Sequence, residues 1–194
     1  QHQMERWFDS FDHFFGIYAT RNKQLWEEYA MGLISKDALR QERFRYPLQQ
    51  VGAPITTEWA LQIDSDFLHT TSTKTRLVSH ARQVVEHISQ HMPVCIISNG
   101  FTQVQHDKIA RSGLRPFLTH IVLSEEVGIN KPDIRIFQHA LHLVGRQPDE
   151  VLMVGDGYMS DITRNFSVKE FKDNKVNLIN NILLKAHKEA AAAL

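Results

Sequence analysis

Residues 94–100 read Val-Cys-Ile-Ile-Ser-Asn-Gly, an apolar run of strand length that ends abruptly in a hydroxyl, an amide and a glycine. A buried parallel strand has this profile, and it delivers polar groups to a pocket at its carboxyl edge. On the amino side, Leu77 to Ser89 forms an amphipathic helix pattern and Pro93 leads into the strand. On the carboxyl side a helix is expected from about Thr102 to Ser112, stopped by Gly113. A short strand follows at His120–Leu123, then a helix at Ile134–Val144 closed by Gly145, and a further strand at Val151–Val154. Strands separated by helices of about ten residues imply crossovers and a parallel sheet covered on both faces. From residue 76 onward the expected fold class is therefore α/β with a Rossmann-like parallel sheet.

Residues 1–75 have a different texture. Met4, Trp7, Phe8, Phe11, Phe14, Phe15 and Tyr18 recur at three- and four-residue steps, which lays an aromatic stripe along one helix face. Leu25, Trp26, Tyr29 and Met31 continue the pattern in a second helix, with Gly32 as its stop. Ser35 reads as the N-cap of a helix running through Phe44, Pro47 and Gly52-Ala-Pro54 read as breaks, and Thr57 to about Leu68 reads as one more helix. A polar connection, Thr70–Thr75, closes the half, and no strand pattern occurs in it. The expectation is an all-helical unit over 1–75 beside an α/β unit over 76–194, with the character of 166–194 left open.

Lys plus Arg and Asp plus Glu stand at 22 each, so no net field recruits nucleic acid or an anionic membrane. No apolar run reaches the roughly 18–20 residues needed to span a bilayer, and no basic-then-apolar leader opens the sequence. Cys95, the single cysteine, sits inside an apolar run and reads as a packed core thiol. The cytoplasm is the default compartment, with a monomer or homodimer expected. The eleven histidines are read as surface or core residues, with no metal-ligand spacing such as His-x₃-His in a plausible helix context.

Three groups of polar residues stand at the ends of apolar runs. Asp156 follows Val154-Gly155 and is itself followed by Gly157, with Asp161 five residues on. Carboxylates converging at a strand edge suit Mg²⁺, which keeps several waters and takes few protein ligands. Lys131 precedes Pro132, which biases it to an extended loop conformation, where an ammonium can neutralise a phosphate or carboxylate. Ser98 and Asn99 offer a hydroxyl, an amide and backbone N–H groups to phosphoryl oxygens, and Gly100 allows close approach.

In this order and at these spacings the three groups resemble motifs II, III and IV of the haloacid dehalogenase (HAD) superfamily. From about Phe8 to Asn165 the chain resembles its pyrimidine 5′-nucleotidase subgroup with a helical cap. The resemblance is carried by Asn22-Lys-Gln-Leu-Trp-Glu-Glu-Tyr-Ala-Met-Gly-Leu-Ile34, Ile97-Ser-Asn-Gly-Phe-Thr102 and Leu123-Ser-Glu-Glu-Val-Gly-Ile-Asn-Lys-Pro-Asp133. It implies Mg²⁺-dependent hydrolysis of a small phosphate monoester, such as a nucleoside monophosphate, through an aspartyl-phosphate. Ser98 would hydrogen-bond the phosphoryl group with Asn99 beside it, Lys131 would offset charge, Asp156 would bind Mg²⁺ and Asp161 would support it.

The family's first motif, a strand ending Asp-x-Asp-x-Thr that carries the nucleophile, is not among these 194 residues. In the family fold that strand lies between those ending at Ser98 and Asp156. The expectation is that the nucleophile stands outside the sequence given. The competing readings are a catalytically inactive remnant that binds a phosphorylated ligand or a protein partner, and another capped activity such as a phosphomutase or dehalogenase. Haloacid dehalogenation needs no metal, so the Asp156/Asp161 pair argues against the last.

Overall fold

The computed structural model describes residues 4–157 together with Ser160 and Asp161; expectations for 166–194 lie outside these. The described chain divides after Thr71 into two compact units.

The first unit is helical. A 3₁₀ turn at Met4–Arg6 is followed by α1 (Phe11–Ala30), α2 (Lys36–Gln50) and α3 (Thr57–Thr73). Ser10 rather than the aromatic stripe marks the start of α1, its hydroxyl accepting from the His13 N–H at 3.1 Å. The two helices expected over Met4–Met31 are one from Phe11 onward, because Ala19 to Gln24 holds neither proline nor glycine to stop the ladder. Ser35 caps α2 as expected, accepting from the Ala38 N–H. Pro47 is not a break: α2 runs through it to Gln50. Leu39, Arg43, Phe44, Pro47 and Leu48 form one buried face at three- and four-residue steps, and that packing outweighs the one lost backbone bond. The core joins Phe8, Tyr18, Phe44, Leu48, Ala53 and Ile63, with Tyr18 stacked on both Phe14 and Phe44. Burial pushes the Tyr18 hydroxyl pKa up, opposed by the Arg43 charge and aided by Asp64.

The second unit is α/β. It contains α4 (Ala81–Ser89), β1 (Cys95–Ser98), α5 (Thr102–Ser112), β2 (His120–Leu123), α6 (Ser124–Val127) and α7 (Ile134–Val144). β1 and β2 pair in parallel with Cys95 opposite His120 and Ser98 opposite Leu123. Gly113 and Gly145 end α5 and α7 in the left-handed conformation, at φ 71° and 64°. α4 starts four residues later than its periodicity suggests, after His80, which is left-handed at φ 67°. Val122, Ile136, Phe137 and Ala140 form the core, with Cys95, Ile97 and Met153 packed against it. The alternate residues Cys95 and Ile97 thus face α7.

The strand expected at Val151–Val154 is corrected: these residues make no ladder. Their burial alternates as a strand's does, with Val151 and Met153 partly covered while Leu152 and Val154 are 72% and 54% exposed. A strand is defined by its partner's backbone groups, and among the described residues none lies alongside to complete one.

Candidate active site

Ser98 ends β1, and its chain turns at once into α5. The Ser98 Oγ accepts from the Gly100 N–H at 3.0 Å. That bond fixes the turn and leaves the hydroxyl proton to point elsewhere as a donor. α5 has no side-chain cap of its own; the Glu125 carboxylate at the start of α6 accepts from the Thr102 N–H at 2.7 Å. The carboxyl ends of β1 and β2 are tied together in this way.

Asn99 turns its carboxamide to the backbone of Lys131. Its Nδ2 donates to the Lys131 carbonyl at 2.8 Å and its Oδ1 accepts from the Lys131 N–H at 2.8 Å. Lys131, in a cis peptide with Pro132, reaches on to Asp161, its Nζ 2.7 Å from Oδ1. The two side chains are 12% and 5% exposed. Asp161 also accepts from the Ser160 hydroxyl at 3.0 Å and from the Gly157 N–H at 3.0 Å. The next residues after Lys131 lead into α7, which Asp133 caps by accepting from the Arg135 N–H at 2.9 Å. The Arg135 guanidinium and that N–H hold the exposed Asp133 carboxyl down at about 2.

The structure therefore brings Ser98, Asn99, Gly100, Lys131 and Asp161 into one connected arrangement. Asp156 stands one residue before Gly157 with an exposed carboxylate that has no partner among the described residues. No group of three or more acidic, histidine or cysteine side chains suited to a metal occurs among the described residues. A Mg²⁺ ion takes one or two carboxylates and keeps its remaining positions for water and substrate oxygens. The exposed Asp156 carboxylate, one residue before the Gly157 N–H that Asp161 accepts from, fits that requirement.

Gly155 and Gly157 are needed for contact, not for turning. A Cβ on Gly155 would stand 2.7 Å from the Asp161 carboxyl carbon and 2.8 Å from its Cβ, and one on Gly157 would stand 3.0 Å from Asp161 Oδ2. The motif's glycines let the buried carboxylate lie against the backbone.

Some signals escape a reading of residues one at a time. Asp64-Ser-Asp66 has the spacing of a paired-carboxylate motif, but it lies within α3 and Asp64 is fully buried in an ion cluster. Its Oδ2 accepts from Arg40 Nε at 2.6 Å and its Oδ1 from Arg43 Nε at 2.5 Å. His87 and His91 do have the His-x₃-His spacing, and their rings stand edge to face 4.9 Å apart, without a third ligand among the described residues. No described helix is long and apolar enough to cross a membrane.

A family model for haloacid dehalogenase-like hydrolases matches residues 3–163. The chain is 33% identical over 150 residues to pyrimidine 5′-nucleotidase YjjG of Escherichia coli K12, covering 76% of this chain and 64% of that protein. It is 26% identical over 147 residues to pyrimidine 5′-nucleotidase PynA of Streptococcus pneumoniae, covering 75% and 61%. It thus spans less than two thirds of the length of either. Among solved structures, that of the HAD-hydrolase YfnB from Bacillus subtilis bound to magnesium superimposes with a TM-score of 0.68 at 23% identity, over 77% of this chain and 64% of that one; this likeness is one of fold. With the family model spanning both units and a relative 33% identical over 76% of this sequence, the chain belongs to the haloacid dehalogenase-like hydrolases.

Proposed function

We propose that this chain carries most of a Mg²⁺-dependent phosphatase that hydrolyses nucleoside monophosphates or similar small phosphate esters. The observation that carries the reading is the connected set Ser98, Lys131 and Asp161 at the end of β1, one hydroxyl donor, one cation and one carboxylate tethered at fixed positions. The substrate class rests on the two relatives named as pyrimidine 5′-nucleotidases.

In this reading the Ser98 hydroxyl and the backbone N–H groups of Asn99 and Gly100 bind the phosphoryl oxygens. The Gly100 N–H already serves Ser98, so its share is a bifurcated one. Lys131 balances the charge of the phosphoryl group and of the attacking carboxylate as they approach. Asp156 holds Mg²⁺, and Asp161 supports the site while keeping the Lys131 ammonium in place. The ion, when bound, supplies positive charge against the phosphoryl oxygens and the leaving group. The nucleophile is placed on an aspartate outside these residues, so that transfer to enzyme and then to water proceeds in two in-line steps.

The test is hydrolysis of a panel of nucleoside monophosphates and of p-nitrophenyl phosphate by the full-length protein, with Mg²⁺ and with EDTA. Release of phosphate that depends on Mg²⁺ and is lost in Asp156→Asn is expected. Undiminished turnover in EDTA overturns the metal assignment. Tight binding of a phosphate ester with no turnover favours the inactive-remnant reading instead.

A further inference from the structure

We infer that the Asn99 side chain is a positioning group: its carboxamide locks the Lys131 backbone against the end of β1 and does not ligate the phosphoryl group, which meets Asn99 through its backbone N–H alone; the inference rests on the phosphatase reading of this site. Two 2.8 Å hydrogen bonds run in opposite senses between the one side chain and the one residue, 32 positions apart. A primary amide presents a donor and an acceptor side by side, as a peptide group does. Asn99 therefore pairs with Lys131 as a strand neighbour would, at a place where β1 has ended and Lys131 belongs to no ladder. The amide atoms that would face a phosphoryl oxygen are turned to a backbone instead.

The consequence falls on the ammonium. Lysine has a four-carbon stem with many rotamers, and a free loop lysine samples them. Two restraints remove that freedom here: Asn99 fixes the backbone end, and Asp161 holds the Nζ end at 2.7 Å. Asn99 thereby registers β1, which carries Ser98, to the cation that acts on the same phosphoryl group. A shift of about 1 Å in such a group costs on the order of a hundredfold in rate. Aspartate could accept from the Lys131 N–H but could not donate to its carbonyl, and alanine could do neither.

The test uses the full-length protein and two readouts. With p-nitrophenyl phosphate and Mg²⁺, Asn99→Ala should lower kcat by about 10- to 100-fold with KM changed less than about threefold, and Asn99→Asp should fall between it and wild type. In a Lys131→Ala background Asn99→Ala should add less than about threefold, since its target is gone. Independently of turnover, acetylation of Lys131 followed by peptide mass spectrometry, referenced to the exposed Lys74, should accelerate at least about threefold in Asn99→Ala or, if that variant does not fold, in Asn99→Asp. A full additional loss in the Lys131→Ala background, or a rise in KM at constant kcat, overturns the inference and makes the Asn99 carboxamide a ligand. Unchanged Lys131 labelling in both variants also overturns it. Faster labelling in a protein without phosphatase activity upholds the clamp and refutes the phosphatase reading alone.

Discussion

The Lys131 ammonium lies 2.7 Å from the Asp161 carboxylate, across 30 residues, with both side chains almost wholly withdrawn from solvent. Removing one member leaves the other as a buried charge, and such losses cost about 3–5 kcal/mol. Lys131→Met should lower the denaturant stability of the protein by an amount in that range. Under the proposed function it should also lower phosphate release by about 100-fold or more, the loss expected when a charge-stabilising group is taken from a transition state. A variant that keeps wild-type stability and rate would place this ion pair outside both roles.

The glycines of the same segment make a paired prediction. Gly155→Ala puts a methyl group within 2.8 Å of Asp161, whose carboxylate is pinned by Lys131, Ser160 and the Gly157 N–H. The clash has to displace Asp161, so activity should fall at least about tenfold and stability by about 1–3 kcal/mol, the cost of overpacking. Gly16→Ala is the opposite case. Gly16 is inside α1 with nothing within 4 Å of an added Cβ, so the change should stabilise the protein by about 0.5–1 kcal/mol in a thermal or urea melt.

How much of this was legible follows from range. The helices α5 and α7 lie where local pattern puts them, because an apolar face and a terminal glycine both fall within a dozen residues, and β2 is an apolar run short enough to read locally. α1 runs unbroken because nothing between Ala19 and Gln24 stops it, and α2 outran its expected end because packing of Phe44, Pro47 and Leu48 overrode a proline that locally reads as a stop. Val151–Val154 has a strand's letters and a strand's alternation, but pairing is a property of two segments and the letters describe one. At the site, the nature of Lys131 and Asp161 was readable from motif spacing. The partners were not: spacing gave Asp161 a metal and Lys131 a phosphate or a carboxylate, without saying that the carboxylate is Asp161 or that the Asn99 amide pairs with the Lys131 backbone. Asp64 shows the converse, a paired-carboxylate spacing whose meaning burial alone reveals.

That cluster carries its own prediction. Asp64 is fully buried between Arg40 and Arg43, and Arg43 is only 2% exposed, its guanidinium 5.0 Å from the Phe67 ring centre. Asp64→Asn keeps the shape but leaves the Arg43 charge without its counter-ion inside an aromatic core. The helical unit should lose about 3–5 kcal/mol. Hydrogen exchange resolved by segment should show the protection lost first from α2 and α3. Retention of exchange protection there would mean that water or another acceptor satisfies Arg43.

The last prediction concerns Cys95 at the start of β1, partly buried against the α7 core. Burial disfavours the thiolate and pushes the thiol from its ordinary 9.0 up to about 11. An acid whose pKa is raised stays protonated over a wider range, so at pH 8 roughly one thiol in a thousand is ionised, against about one in ten at the ordinary value. Iodoacetamide reacts with the thiolate alone. The folded protein should therefore alkylate about a hundredfold more slowly than the urea-unfolded chain at pH 8, even before access is considered. The rate should rise about tenfold per pH unit from 7 to 10, without the plateau an unperturbed thiol shows above 9. A plateau near pH 9 in the folded protein would mean that Cys95 is open to water and that the start of β1 is not packed under α7.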